Sequence, residues 1–307
     1  MIARALPNLP GFKSPAAKAQ HRIALSPACW GVSDVPGWGH QLDVERVLAE
    51  AAQLGEGAVE AGPPGFLPDR SVEAKPVLKR HGLRLVAGAA DAILHHYDIR
   101  GPELALIDGQ ASWLAALGAE TLVLSAVPPR SSSAAHGIVL SNMGWAHLLH
   151  AIGSVEHVCS KHKLRLAVQP RYGSMIQGPS DIERLLVGTE AGVCLDVGHL
   201  LLSGADPLEV LELASGRIQH VHLSDIDSNL ALRVREYGFD YAEAVSEDLF
   251  KPLGTGDAGV DRVVEGLRRS KYRGWYTLDQ PTRLAADTDQ PIAAIKLSLE
   301  YLLPLMI

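Results

Sequence analysis

The chain is poor in the features that mark several protein classes. Only three cysteines occur in 307 residues, Cys29, Cys159 and Cys194, with no CxxC spacing, which excludes a disulfide framework. Cys194 lies inside an apolar run and reads as a small core residue. No Lys/Arg-rich run is present and the formal net charge is −7, so neither nucleic acid nor an anionic membrane surface is an expected partner. No apolar stretch reaches the roughly 20 residues of a membrane span. Residues Met1 to Pro7 lack the apolar segment of a signal peptide, and the expectation is a cytoplasmic protein. No GxGxxG follows the first strand-like run, which removes the usual dinucleotide fingerprint.

What is present is an ordinary globular composition, 47% hydrophobic and 21% charged, in a chain long enough for a large core without staples. Residues 1–20 hold three prolines and read as an N-terminal extension, a lid or a partner-binding arm. Thereafter short apolar runs alternate with amphipathic stretches. The runs predict strands over 22–26, 57–61, 83–88, 121–126, 164–169, 192–196, 218–223 and 275–279. The stretches predict helices over 42–54, 71–80, 102–117, 142–161, 179–186, 207–214, 260–270 and 290–303. Strict alternation means a parallel α/β sheet, and eight pairs in this length fit a closed (β/α)₈ TIM barrel, one domain over residues 21–307. Asp206 before Pro207 is a helix-start signal. Between His222 and Val260 lie 37 residues that include Arg233, Arg235, Glu236 and Lys251. A connection that long, after the seventh strand, is expected to cover substrate, with Arg235 as a contact, or else to be a plain insertion.

In such a barrel the strand ends share one mouth. Two apolar runs stop abruptly in polar groups there: Val193 to His199 through Asp196, and His220 to Asp225 through His222. Burying such groups without partners costs roughly 2–7 kcal/mol, so their clustering asks for a function. The other strand ends add Cys29 and Trp30, Glu60, Gln169 with Arg171, and Asp279 with Gln280. Converging Asp, His and amide groups make a mixed N/O site suited to Mn²⁺, Co²⁺, Mg²⁺ or Zn²⁺. Each residue also has a plainer reading. Asp196 could be only a helix cap, Glu60 a partner of Arg22 or Arg84, and Trp30 core rather than pocket wall. Arg171 offers a fork for a substrate carboxylate or phosphate, or an ion pair with Asp279 or Glu60. His220, two residues before His222, is expected as a hydrogen-bonded core histidine. An ion bound to adjacent oxygens of a hydroxy-carbonyl compound acidifies the neighbouring C–H, and Glu60 or His199 would move that proton. Isomerisation, epimerisation and dehydration all follow from one such site.

At these residues the chain resembles the xylose-isomerase-like sugar isomerase/epimerase superfamily of TIM barrels, and within it is most similar to inosose (2-keto-myo-inositol) dehydratases. The resemblance rests on Leu195-Asp196-Val197-Gly198-His199 and on His220-Val221-His222-Leu223-Ser224-Asp225. It is supported by Ser26 to Trp30, Val59 to Gly62, Gly173 to Gln177, Pro252 to Asp257 and Gly274 to Gln280, and spans about residues 21–303. It implies one Mn²⁺- or Co²⁺-like ion held by Gln169 (by position), Asp196, His222 and Asp279, with His199 on the substrate and Glu60 a carboxylate of the mouth. The chain departs from the pattern where Gln169 replaces an acid, Ser224 a Lys and Asp279 a Glu. A neutral amide is the weaker ligand for a hard cation.

The expected function is therefore a metal-dependent sugar or cyclitol isomerase/epimerase or dehydratase acting on a small molecule, with a homo-oligomer compatible. The alternative is a non-catalytic or repurposed barrel that binds a sugar-like or anionic ligand at a weakened metal site. A DNA-repair endonuclease of the same superfamily is disfavoured by the charge.

Overall fold

Short runs of Ile, Leu, Val and Ala form the strands, because residues buried on both faces of a parallel sheet need no polar alternation. A computed structural model describes residues 22–129 and 139–307; the expected N-terminal extension lies outside them. Eight parallel strands close into a barrel. They are β1 (Ile23–Leu25), β2 (Ala58–Glu60), β3 (Arg84–Ala92), β4 (Thr121–Ala126), β5 (Arg165–Val168), β6 (Gly192–Asp196), β7 (Ile218–Leu223) and β10 (Tyr276–Leu278). Each pairs with its sequence neighbour, and β10 closes the ring by pairing with both β7 and β1. The eight expected strands all form, so the (β/α)₈ reading holds.

The expected helices form as α1 (Val44–Leu54), α2 (Ser71–Arg80), α3 (Arg100–Leu117), α4 (Asn142–Lys161), α5 (Pro179–Gly188), α7 (Pro207–Leu213), α10 (Val260–Arg269) and α11 (Ile292–Leu305). Asp43, Ser141 and Asp206 cap α1, α4 and α7 through side-chain oxygens that accept backbone N–H groups, which supplies partners the first turn lacks.

Strand alternation separates two apolar layers. Ala24, Ala58, Val86, Val123, Ala167 and Cys194 cluster with Trp275 inside the ring. Their neighbours, among them Ile23, Leu25, Leu85, Leu122, Leu124, Val193 and Leu195, join the larger layer under the helices. Small residues inside leave room for Trp275. Its indole N–H donates to Glu120 at 3.0 Å, and the guanidinium groups of Arg22 and Arg84 lie 4.7 and 4.9 Å from its ring centre. Glu120 also accepts from Arg22, Arg84 and Arg165. Arg22 and Arg84 thus serve Glu120 near the strand starts, and the plainer reading that paired them with Glu60 is not met.

The long connection is not an open loop. Its first residues form β8 (Asp225–Ile226), antiparallel to β9 (Phe250–Lys251), and between them run α8 (Ser228–Tyr237) and α9 (Tyr241–Ser246). Asp225 pins this excursion: its carboxylate accepts from the N–H groups of Gly254, Gly256, Ala258 and Ile226. A Cβ on Gly256 would lie 2.5 Å from Asp225 Oδ1, so the run Gly254-Thr255-Gly256 is shaped to this carboxylate.

Candidate active site

Strand ends deliver the site. Asp196 closes β6, and its chain turns directly into α6 (Val197–Leu202). Asp196 Oδ1 accepts the His199 N–H at 3.0 Å, so the cap anticipated as a plain alternative exists. The cap leaves Oδ2 for the barrel interior, where it accepts from Gln169 Nε2 at 2.6 Å and lies 3.4 Å from His222 Nδ1. His222 Nδ1 is also 3.1 Å from Asp279 Oδ2. Ser224 Oγ accepts the Gly198 N–H at 3.1 Å, fixing α6 at the position where the resemblance implied a Lys.

Behind His222 sits a second layer. His222 Nε2 is 3.1 Å from Glu60 Oε1, which His220 Nε2 approaches at 2.6 Å; His220 Nε2 also lies 3.1 Å from Thr277 Oγ1. His220 is fully buried, the hydrogen-bonded core histidine expected. A carboxylate on Nε2 orients the ring and turns Nδ1 toward Asp196 and Asp279, the usual support of a ligating histidine.

The electrostatics follow from three carboxylates around one imidazole. Burial alone would raise Glu60, but His222 and His220 hold it well below the usual carboxylate range. Burial opposes a charge on His222, yet the Glu60, Asp279 and Asp196 carboxylates hold it well above the usual imidazole value. Asp196 is likewise lowered against its burial, by His222 and by the hydrogen bond from the His199 N–H. His199 goes the other way: burial lowers it despite Asp196, with Arg171 adding to the drop. Its Nδ1 is buried and has no hydrogen-bond partner among the described residues.

The ligand atoms of Asp196, His222 and Asp279 lie within 4.8 Å of one another. A cation with bonds of about 2.1 Å at tetrahedral or octahedral angles sets its ligands about 3.0–3.4 Å apart. The 3.1 and 3.4 Å separations at His222 Nδ1 match that spacing, so these three residues fit a divalent ion. Gln169 turns its amide nitrogen, not its oxygen, to this cluster; the oxygen accepts from Ser125 at 3.0 Å.

The remaining candidates separate. Arg171 reaches the site's edge, but its partners are Asp91 at 2.5 Å and Ser125 at 2.8 Å, not Asp279 or Glu60. Trp30 is 1% exposed and its indole N–H donates to Glu50 of α1 at 2.8 Å, the core arrangement rather than a pocket wall. Arg235, on α8, donates to Leu201 O at 3.2 Å and to Glu236 at 2.8 Å; it braces the end of α6 and is not brought to the cluster. Three residues were missed. Ser125 is the one hydroxyl in the apolar end of β4, the same signal that singled out Asp196. Asp91 lies on an extension of β3 past the expected end. Tyr241 of α9 brings the long connection to the mouth: its ring centre is 6.1 Å from His199, 6.0 Å from Tyr172 and 6.0 Å from Trp38.

The chain is similar to known proteins in sequence and fold. The rhizopine catabolism protein MocC of Rhizobium meliloti is 27% identical over 269 residues, 84% of this chain and 81% of that one. An inosose dehydratase of Geobacillus kaustophilus is 26% identical over 291 residues, 92% and 93% of the two chains. The fold matches the crystal structure of the 3-keto-D-glucoside 4-epimerase YcjR from E. coli with a TM-score of 0.63 at 16% identity, covering 92% of this chain and 99% of the other. No helix among the described residues is long and apolar enough to cross a membrane. The family model for the xylose isomerase-like TIM barrel matches residues 48–305, and the chain belongs to that family.

Proposed function

We propose that the protein is a metal-dependent enzyme that removes a proton beside the carbonyl of a keto-sugar or keto-cyclitol and so isomerises, epimerises or dehydrates it. The observation that carries this reading is the convergence of Asp196, His222 and Asp279 at ligand spacing, beside a buried imidazole nitrogen with no hydrogen-bond partner among the described residues. Asp196, His222 and Asp279 would hold the ion, Mn²⁺ or Co²⁺ by the N/O donor set. When bound, such an ion polarises the substrate oxygens and acidifies the adjacent C–H.

The chain's own groups divide the remaining work. His199 is the proton acceptor: it is held neutral by burial, and a neutral imidazole is the form that takes a proton. Glu60 is 5% exposed with one oxygen committed to His220 and His222. Its role is to keep the Nε2 hydrogen of His222 in place, so that Nδ1 faces inward. Tyr241, Tyr172 and Trp38 give the mouth an aromatic side on which the C–H face of a ring can rest. The names of the relatives make 2-keto-myo-inositol the first substrate to try.

The test strips the protein with chelator, reloads it with Mn²⁺ or Co²⁺, and follows keto-sugars and 2-keto-myo-inositol in D₂O. Metal-dependent deuterium uptake or loss of water is the expected result. Absence of both metal uptake and metal-dependent turnover overturns the reading.

A further inference from the structure

Gln169 stands where the site departs from a plain set of ligands, and its surroundings dictate which way its amide points. A chain of polar contacts runs to it from the barrel rim. Asp91 Oδ2 accepts from Arg171 Nη2 at 2.5 Å, and Arg171 Nε donates to Ser125 Oγ at 2.8 Å. Because an N–H already arrives at that oxygen, the Ser125 hydroxyl is free to send its own hydrogen to Gln169 Oε1, 3.0 Å away. The carbonyl end of Gln169 is thereby taken. Its NH₂ end is left to Asp196 Oδ2 at 2.6 Å, with His222 Nδ1 3.2 Å away.

Turning the amide over would fail at both ends. Ser125 would face two donors, Arg171 Nε and Gln169 Nε2, and its hydrogen would lose its acceptor at a residue that is 1% exposed. Gln169 Oε1 would meet the Asp196 carboxylate oxygen at 2.6 Å, acceptor against acceptor, a closer approach than its 3.2 Å contact with His222 Nδ1. Buried groups left in that condition are among the most destabilising arrangements a core can hold.

We propose that Asp91, Arg171 and Ser125 form an orientation lock on Gln169, so that Gln169 is a hydrogen-bond donor that positions Asp196 rather than an oxygen ligand of the metal or a carrier of protons. The proposal deepens the metal-site reading, since it assigns that site three protein ligands. Ser125 and Arg171 are positioning residues: they act on Asp196 through Gln169. Arg171 is then engaged in the lock instead of being offered to a substrate anion.

Thermal unfolding in EDTA tests the lock with no metal involved. Asp196→Asn must keep its oxygen on the His199 N–H, so its new NH₂ meets the NH₂ of Gln169. The melting temperature is expected to fall by several degrees. The exchange variant Asp196→Asn/Gln169→Glu restores donor against acceptor and is expected to recover at least half of that loss. In a Ser125→Ala background Gln169 is free to turn, so the additional loss from Asp196→Asn should shrink to less than half. If Asp196→Asn raises the melting temperature or leaves it unchanged, or loses as much in the Ser125→Ala background, the proposal is overturned. Should Asp196→Asn not fold alone, folding of the exchange variant supports the lock and its failure to fold overturns it.

Mn²⁺ titration followed by electron paramagnetic resonance supplies the second readout. Gln169→Leu, which removes a hydrogen bond from the ligand Asp196 but no ligand, is expected to weaken binding by about 10–100-fold, and Gln169→Glu to bind at least about tenfold more tightly than the parent, a carboxylate having joined the ligands. A loss well beyond about a hundredfold in Gln169→Leu would show that the amide oxygen ligates, and an unchanged affinity would show that Gln169 does not position Asp196. Absence of Mn²⁺ binding in every variant removes the metal-enzyme reading, while the melting series still decides the lock.

Discussion

Replacing Glu60 with Gln separates an orienting carboxylate from a catalytic base. The substitution keeps an oxygen at the position where Glu60 Oε1 lies 2.6 Å from His220 Nε2 and 3.1 Å from His222 Nε2, and removes the charge. Hydrogen bonds to charged groups contribute about 1.5–3 kcal/mol and neutral ones about 0.5–1.5. Weakening both by about 1 kcal/mol costs the variant about 2 kcal/mol in all. Unfolding entropy of about 2.1 cal/mol/K per residue, over a chain of 307 residues, amounts to about 0.6 kcal/mol/K, so the melting temperature should fall by roughly 3 °C. The site effect is larger. Loss of the carboxylate behind a ligating histidine typically weakens metal binding by about 10–100-fold. Turnover, followed by deuterium uptake into 2-keto-myo-inositol as Mn²⁺ is raised, should require that much more metal and return to within about tenfold of the parent at saturation. A general base gives a different curve: turnover falls by about 10²–10⁴-fold and no metal concentration restores it. That second curve, with Mn²⁺ affinity unchanged, would refute the orienting role and return Glu60 to the chemistry.

Two further outcomes follow from other parts of the fold. Glu120 is held below the usual carboxylate range, against its partial burial, by Trp275, Arg22 and Arg165. Its folded value is depressed, so its contribution is present above the unfolded value near 4.5 and is lost as pH falls through the lower folded value. Glu120→Gln should therefore cost about 1–2 kcal/mol at pH 7, screening at this partly exposed side chain included. Melting curves of parent and variant should converge in acid; a gap that persists there refutes the assignment. Gly198 packs so closely that an added Cβ would meet Ser224 Oγ at 2.3 Å and Phe250 Cε1 at 2.9 Å. Gly198→Ala should lose about 1–3 kcal/mol and, by shifting α6 and His199, lower kcat more than it raises KM; unchanged kinetics would show that α6 does not position the base.

The barrel was legible because its signal is local. Thr121–Ala126 and Gly192–Asp196 are largely continuous apolar runs and Ile218–Leu223 mixes apolar residues with Gln219, His220 and His222; all three form strands with the expected ends. The end of β3 was not legible: beyond Gly88 the sequence Ala89-Ala90-Asp91-Ala92 has little β-propensity, and its strand geometry comes from pairing with Val123 to Ala126 of β4. Asp91 was hidden for that reason. α6 was hidden because Asp196 is both the last residue of a strand and the cap of a six-residue helix, too short for periodicity to register. α8 and α9 announce themselves only through Asp227 and Asp240, whose side chains cap them. For the site, strand position put Glu60, Gln169, Asp196, His222 and Asp279 at one mouth, and their side chains meet there around His222. It was silent on which end of an amide faces inward and on which carboxylate claims Arg171, since both depend on side chains from β3 and β4 that meet only in the closed barrel.

The neutral residue at 169 has an electrostatic consequence that gives Gln169→Glu opposite signs in two states. Without an ion, Glu60, Asp196 and Asp279 already surround His222 at 3.1, 3.4 and 3.1 Å. A fourth carboxylate placed 2.6 Å from Asp196 Oδ2, where the amide nitrogen now sits, would exchange a donated hydrogen bond for a like-charge contact in a dry site. Groups so placed do not both ionise without a penalty. The variant should then melt several degrees below the parent in EDTA. With Mn²⁺ bound, the added carboxylate neutralises the ion instead, and binding to the folded state stabilises it by RT ln(1 + [L]/Kd), so a tenfold gain in affinity adds about 1.4 kcal/mol at saturation. Metal should therefore raise the melting temperature of Gln169→Glu more than that of the parent. Equal metal-induced shifts in the two proteins would mean that position 169 does not feel the ion, and that the three-ligand assignment has placed the cation wrongly.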